Sequence, residues 1–189
     1  FSRALRSLLR QDPDVILVGE IRDRETAGVA LEAGLTGHLV ASTIHAGRAP
    51  LVFSRLLDLG VEPFAITTAV RGVFAQRLVR RLCDKCKTPT TRHPEVLKEL
   101  GIMENPDELR LFEPKGCPAC NDTGYKGRVG LYEVLECSDD IRELILSGAS
   151  SIELRAKAIE QGMITLRDDG LQKALMGITS LDEVARVVK

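Results

Sequence analysis

Asp14-Val-Ile-Leu-Val-Gly-Glu20-Ile-Arg-Asp23 is followed by an alanine-rich stretch from Arg24 to Gly34 and then by Leu35-Thr-Gly-His38-Leu-Val-Ala-Ser-Thr-Ile-His45. Val15 to Val18 is an all-apolar run closed by Gly19, the pattern of a strand buried on both faces of a parallel sheet. Ala27, Ala30, Leu31 and Gly34 recur at helical spacing, and Leu39 to Ile44 reads as a second central strand. Strand, helix, strand implies a parallel pair in an open α/β sheet, where ligands bind beyond the carboxyl ends of the strands. Glu20 and His45 are both expected at that edge.

Outward from this unit, the periodicity predicts helices from Ala49 to Leu59, closed by Gly60, and from Pro63 to about Leu78, with the proline where no amide hydrogen is needed. Leu5, Leu8 and Leu9 with interleaved arginines fit an amphipathic helix over residues 1–10, stopped at Asp12-Pro13. From Leu82 to Glu136 the composition turns to cysteine, proline and glycine, with a glycine-turned hairpin expected within Tyr125 to Leu135. The tail returns to helices at Asp139–Leu146, Ser151–Gln161, Thr165–Met176 and Ser180–Val188. Ser150 with Glu153, and Ser180 with Glu183, have capping-box spacing. The composition thus divides the chain into residues 1–81, 82–136 and 137–189.

Cys83-x-x-Cys86 and Cys117-x-x-Cys120 carry the most specific spacing in the chain. Each pair forms a tight turn that directs two thiolates at one ion, and two such turns complete a closed tetrahedral site of the structural zinc type. Two disulfides, a redox pair or a chance cluster of buried thiols are the competing readings. The total of five cysteines is odd and sparse, which points to a reducing compartment and to metal. Cys137, without a paired partner, reads as a core residue.

Two weaker patterns concern the strand edge. A carboxylate at the end of a buried strand, here Glu20, can polarise an attacking water or act through magnesium, although many strands end in a solvated glutamate. His45 at the same edge can donate a hydrogen bond toward a phosphate, whereas a histidine at a strand end is more often an ordinary polar cap. His38, seven residues earlier, lies on the opposite face of an extended strand, which disfavours a shared metal.

The balance of charge, 26 basic against 27 acidic residues, gives no global field toward nucleic acid or an anionic membrane. Arg71, Arg77, Arg80, Arg81, Lys85, Lys87 and Arg92 form a basic stretch, read as a solvated face or subunit contact. No tryptophan is present to build a stacking platform for bases. No apolar run approaches the roughly 20 residues of a membrane span, and the absence of an initiating methionine suggests a segment of a longer protein.

Taken in order, several blocks closely resemble the ATPases that drive type II secretion and type IV pilus assembly. They are Leu5-Arg-Ser-Leu-Leu-Arg-Gln-Asp-Pro-Asp14, Val18-Gly-Glu-Ile-Arg-Asp23, Glu25-Thr-Ala27, Leu35-Thr-Gly-His-Leu39, Gln76-Arg-Leu-Val-Arg-Arg-Leu-Cys83, Gly116-Cys-Pro-Ala-Cys120, Thr123-Gly-Tyr125 and Arg167-Asp-Asp-Gly170. The resemblance implies the C-terminal part of a RecA-like P-loop core, an α/β fold, with a tetracysteine zinc subdomain and a C-terminal helical segment. It makes Asp14 to Glu20 a variant Walker B segment with Glu20 as catalytic glutamate, His38 and His45 the histidine box, and Cys83, Cys86, Cys117 and Cys120 the zinc ligands. It further implies ATP and Mg²⁺ in the full protein, a hexamer in the cytoplasm at an inner-membrane platform, and an assembly or secretion motor rather than a retraction motor, which typically lacks the four cysteines. After His45 the family usually reads Thr-Asn, where this chain has Ala46-Gly47. No Gly-x-x-x-x-Gly-Lys-[Ser/Thr] occurs in the 189 residues, and in the family that loop lies N-terminal to this region, so the chain alone is expected to be inactive. The alternative readings are a non-enzymatic zinc-ribbon interaction module or a motor of the pilus-retraction type.

Overall fold

Val15 pairs with Leu39 and Val18 with Ser42, so β1 (Val15–Val18) and β2 (Leu39–Ser42) run parallel, joined through α1 (Arg24–Leu35). The computed structural model describes residues 7–11, 13–90 and 110–188. Of the helix expected over residues 1–10, residues 1–6 lie outside the described residues, and Leu9–Gln11 form a 3-10 turn.

The α1 helix starts where Asp23 leaves the extended region and its side chain accepts from the Thr26 amide, removing one of the orphan donors of the first turn. Ala27, Val29, Ala30, Leu31 and Ala33 turn inward, and Ile16 and Val18 of β1 pack on Val29, Ala30 and Ala33. The expectation that β1 is buried on both faces does not hold within this chain. Its burial alternates, leaving Leu17 78% exposed while Val18 is 4% exposed, because side chains alternate across a strand and α1 covers one side.

After β2 come α2 (Leu51–Asp58) and α3 (Pro63–Ala69). The helix read from Pro63 to Leu78 ends at Ala69. Residues Gly72–Leu82 instead form β3, in which Val73, Ala75, Arg77 and Val79 turn inward while Phe74, Gln76 and Leu78 face out. The helical reading arose because the outward Phe74 and Leu78 supply apolar residues four apart. The hairpin expected within Tyr125–Leu135 is also absent: Tyr125–Glu136 is one continuous strand, β6, paired with β3. Cys137 N donates to Arg71 O at one end and Cys83 N to Gly124 O at the other, so the two strands are antiparallel. Two short strands, β4 (Thr88–Thr90) and β5 (Leu111–Glu113), form a separate antiparallel pair.

The chain forms two compact units, Phe1–Ala75 with Glu133–Met163, and Gln76–Tyr132 with Ile164–Lys189. In the first, Val52, Phe53 and Leu56 of α2 and Ile66 of α3 pack with Leu135, Ile141 and Ile145 of α4 (Asp139–Leu146), and Leu154 and Ala158 of α5 (Ser151–Glu160). Cys137 lies within this cluster, where burial pushes its thiol up to about 11. In the second, Leu111, Ala174 of α6 (Leu166–Leu175), and Leu181 and Val184 of α7 (Leu181–Val187) form a smaller core. No described helix is long and apolar enough to cross a membrane.

Candidate catalytic edge and tetracysteine metal site

Because β1 and β2 are parallel, Glu20 and His45 leave the sheet at the same carboxyl end, while His38 precedes β2 at the other. Thr43 Oγ1 donates to Gly19 O at 2.7 Å and Ile21 N to Thr43 O at 2.8 Å, which extends the pairing past the strands and brings the two loops together. The His45 Nε2 stands 2.5 Å from Glu20 Oε1, and Arg22 Nε donates to Oε2 at 2.5 Å. The Glu20 carboxylate is largely covered, with 17% of its side-chain surface exposed, whereas His45 is 86% exposed. A carboxylate beside an imidazole at a strand edge can orient or deprotonate a water and sense a phosphate oxygen. Exposed partners hold such a carboxylate by roughly 0–1 kcal/mol each, so a bound ligand can displace them.

His38 does not join that pair. Its Nδ1 stands 3.1 Å from both Thr36 Oγ1 and Ala33 O, which ties it to the last turn of α1. Its contacts are those of a polar cap.

The four cysteine side chains converge. Their sulfur atoms all lie within 4.8 Å of one another, with Cys83–Cys117 at 3.9 Å and Cys86–Cys120 and Cys117–Cys120 at 3.8 Å. A disulfide would require about 2.05 Å, whereas a tetrahedron of about 2.3 Å zinc–sulfur bonds has edges of about 3.8 Å. The spacing therefore fits a tetrahedral ion and excludes disulfides among these four.

Local sequence produces this convergence twice. Cys86 N and Lys87 N both donate to Cys83 O, and Cys120 N and Asp122 N both donate to Cys117 O, so each C-x-x-C closes as a tight turn. Asn121 and Asp122 follow in the left-handed region, at φ 52° and 58°. The second turn needs glycine on both sides. A Cβ on Gly116 would stand 2.6 Å from Asp122 O, one on Gly124 would stand 2.3 Å from Pro114 Cβ, and both have positive φ. The amides of Cys117 and Gly124 donate to Cys120 Sγ at 3.3 and 3.2 Å. Burial alone would push the Cys120 thiol up, but these N–H groups bring it down to about 7. Cys86 is driven the other way, to about 12, by burial and by its neighbouring thiols. Four thiolates this close repel one another, and a cation at their centre is what allows all of them to ionise. Cys83, Cys86, Cys117 and Cys120 are thus the residues that would hold Zn²⁺, a closed site with no open position for substrate.

Of the basic stretch, Arg80 is bound to the buried Glu183, Arg81 and Lys87 pair with Asp84, and Lys87 Nζ also donates to Gly177 O. Arg92 lies outside the described residues.

Two buried acids were not singled out as site residues by the sequence. Glu183 was read as a capping-box residue, yet Ser180 alone supplies the cap, and the Glu183 carboxylate takes Arg80 and Arg186. Glu133 is 1% exposed within the first unit and accepts from the Ala49 amide at 2.7 Å. The signal for it was the alternation Leu131, Glu133, Leu135, which puts an acid at an inward strand position.

The fold is that of a P-loop ATPase core. The chain superimposes on the pilus retraction motor PilT with bound ADP at a TM-score of 0.67 and 26% identity, covering 98% of this chain and 43% of that one. It also superimposes on the Legionella pneumophila ATPase DotB at 0.66 and 24% identity, covering 99% of this chain and 42% of that one, a likeness of fold. Residues 1–186 match the Type II/IV secretion system protein family, and the chain belongs to that family. Among relatives, it is 52% identical to the type IV pilus assembly ATPase PilB of Thermus thermophilus over 100% of this chain and 22% of that protein. It is 48% identical to the type II secretion system protein E of Dickeya dadantii over 100% of this chain and 37% of that protein. The chain thus spans between about a fifth and two fifths of these two relatives' lengths.

Proposed function

We propose that this chain is the C-terminal part of a cytoplasmic, hexameric ATPase that couples ATP hydrolysis to type II secretion or type IV pilus assembly at an inner-membrane platform. The observation that carries the reading is the meeting of Glu20 and His45 at the carboxyl edge of the parallel β1–β2 pair, in a chain whose relatives are named as secretion and pilus-assembly ATPases. In this reading residues 1–81 supply the Walker B and histidine segments, 82–136 a zinc subdomain and 137–189 a helical segment.

Glu20 acts as the base or water-orienting group, His45 as the phosphate-facing donor, and His38 supports the β2 entry. Mg²⁺·ATP supplies the phosphoryl group and the metal that spreads its charge. The phosphate-binding loop comes from other residues of a longer polypeptide, since no Gly-x-x-x-x-Gly-Lys-[Ser/Thr] occurs here, and the 189-residue chain by itself turns over no ATP. The test is Glu20→Gln in the full-length protein, which keeps shape and most hydrogen bonding but removes basicity. Turnover per assembled hexamer should fall by roughly 10² with nucleotide affinity little changed. Near-normal turnover would overturn the assignment.

A further inference from the structure

The loop that carries His45 is fastened at both ends, and its downstream fastening is an acid from a distant strand. Upstream, Thr43 is tied to Gly19 and Ile21. Ile44 and Ala46 pack against the main core of the first unit, which leaves His45 between them facing out. Downstream, Ala49 is fully buried, and its amide donates to Glu133 Oε1 from β6, 84 residues along the chain.

The position of Glu133 is unusual for an acid. It is 1% exposed, and Ala49, whose amide it accepts, and Leu135, two residues along β6, both belong to the apolar core of the first unit. A buried carboxyl group is unfavourable unless its oxygens are bonded. What the acid supplies is specific. Helix α2 begins without help from its own sequence: Pro50 makes no side-chain cap and the first turn holds no acid. The Arg48 and Ala49 carbonyls accept from Leu51 and Val52, and the Ala49 amide, one residue before the Pro50 N-cap and fully buried, needs an acceptor of its own. Glu133 provides that partner from outside the helix, fixing where α2 starts and hence where the five residues between it and His45 run.

We propose that Glu133 is a positioning residue that holds the His45 loop in register with Glu20. This rests on the reading of Glu20 and His45 given above, and its test has one arm that does not. In the 189-residue chain the imidazole NMR signals of His45 report its contact with Glu20 directly. Glu20→Gln should shift them in the otherwise native protein. In a Glu133→Leu background, where Ala49 N–H loses its acceptor, the same change should shift them by less than a third as much. An undiminished response would overturn the proposal whatever the catalytic role of Glu20.

In the full-length ATPase, Glu133→Leu should lower kcat by roughly tenfold per assembled hexamer with KM for ATP within about twofold, as expected for misplacement of a group rather than loss of binding. Glu133→Gln, which keeps an accepting oxygen, should restore kcat to within about threefold of native. Should Glu133→Leu fail to fold, Glu133→Asp decides, because its carboxyl is withdrawn by one methylene and should fall short of Ala49. Native kcat in Glu133→Asp, or a Gln variant as slow as the Leu variant, would overturn the proposal.

Discussion

The tetracysteine site and the Glu20–His45 edge differ in how much of themselves they contain. Each half of the sulfur cluster is shaped by residues near it in sequence: two C-x-x-C turns, glycines at 116 and 124 beside the second, and two amides aimed at Cys120 Sγ. The Glu20–His45 edge has a largely covered carboxylate, an exposed imidazole, and a strand with Leu17 open on one side. A structural metal site is closed once its ligands meet, whereas a catalytic edge must stay open to substrate and take its remaining parts from elsewhere. The difference predicts that damage to the first is read as lost folding and damage to the second as lost turnover.

The strongest challenge to this contrast is removal of the metal. Purified without added zinc, the chain should carry one zinc, and Cys83→Ser or chelation should abolish hydrogen-exchange protection around β3, β6 and the two cysteine turns. Structural zinc contributes on the order of 10 kcal/mol to such modules. Less than half a zinc per chain, with no thiolate-to-metal absorption on cobalt substitution, would break the comparison at its firmer end. Next is Glu20→Gln in the full-length protein, with its roughly hundredfold loss of turnover and unchanged melting temperature. Unfolding in place of slow turnover would erase the distinction.

Glu183 sharpens the comparison within the second unit. Burial alone would raise its carboxyl, but hydrogen bonds from Arg186, the Arg80 side chain and the Arg80 amide hold it near 2 against an ordinary value of 4.5. A depressed carboxyl stabilises the fold above the unfolded value and loses that contribution as pH falls, here between about 4.5 and 2. Glu183→Gln should therefore destabilise by on the order of 3 kcal/mol at pH 6, and its difference from native should shrink across that window in paired denaturation curves. A pH-independent difference would refute the linkage. The smallest effect belongs to Ser150, whose hydroxyl accepts from the Glu153 amide while Glu153 reaches back to Ser150 N. Ser150→Ala should cost about 1 kcal/mol in thermal melts and leave zinc content untouched.

How far the sequence revealed this arrangement follows from how local each determinant is. The cysteine turns, the β1–α1–β2 unit and the N-cap residues at 150 and 180 rest on neighbours within a few positions, and all were legible. The β3 strand was not, because Val70, Val73, Phe74 and Leu78 satisfy a helical period while the pairing that makes a strand comes from β6, beyond both cysteine turns. Gly127 and Gly130 suggested a turn for the same reason: the partner of β6 lies far upstream. Glu133 and Glu183 each take a hydrogen bond from far along the chain, 84 positions away at Ala49 and 103 at Arg80. No short window contains both members of such a pair.

The interleaving of the two units bears on how the protein is made. The core around Phe53 and Ile66 also needs Leu135, Ile141, Ile145 and Leu154, and the chain reaches these only after passing through both C-x-x-C turns. On the ribosome, residues 1–75 emerge with one side of their core unfilled and must wait for the cysteine segment to be synthesised before they can close. A nascent chain arrested at residue 132 would have all four thiols and no finished first unit. Holdase chaperones should therefore engage the translating ribosome before the metal-binding segment emerges and release it once α5 is out.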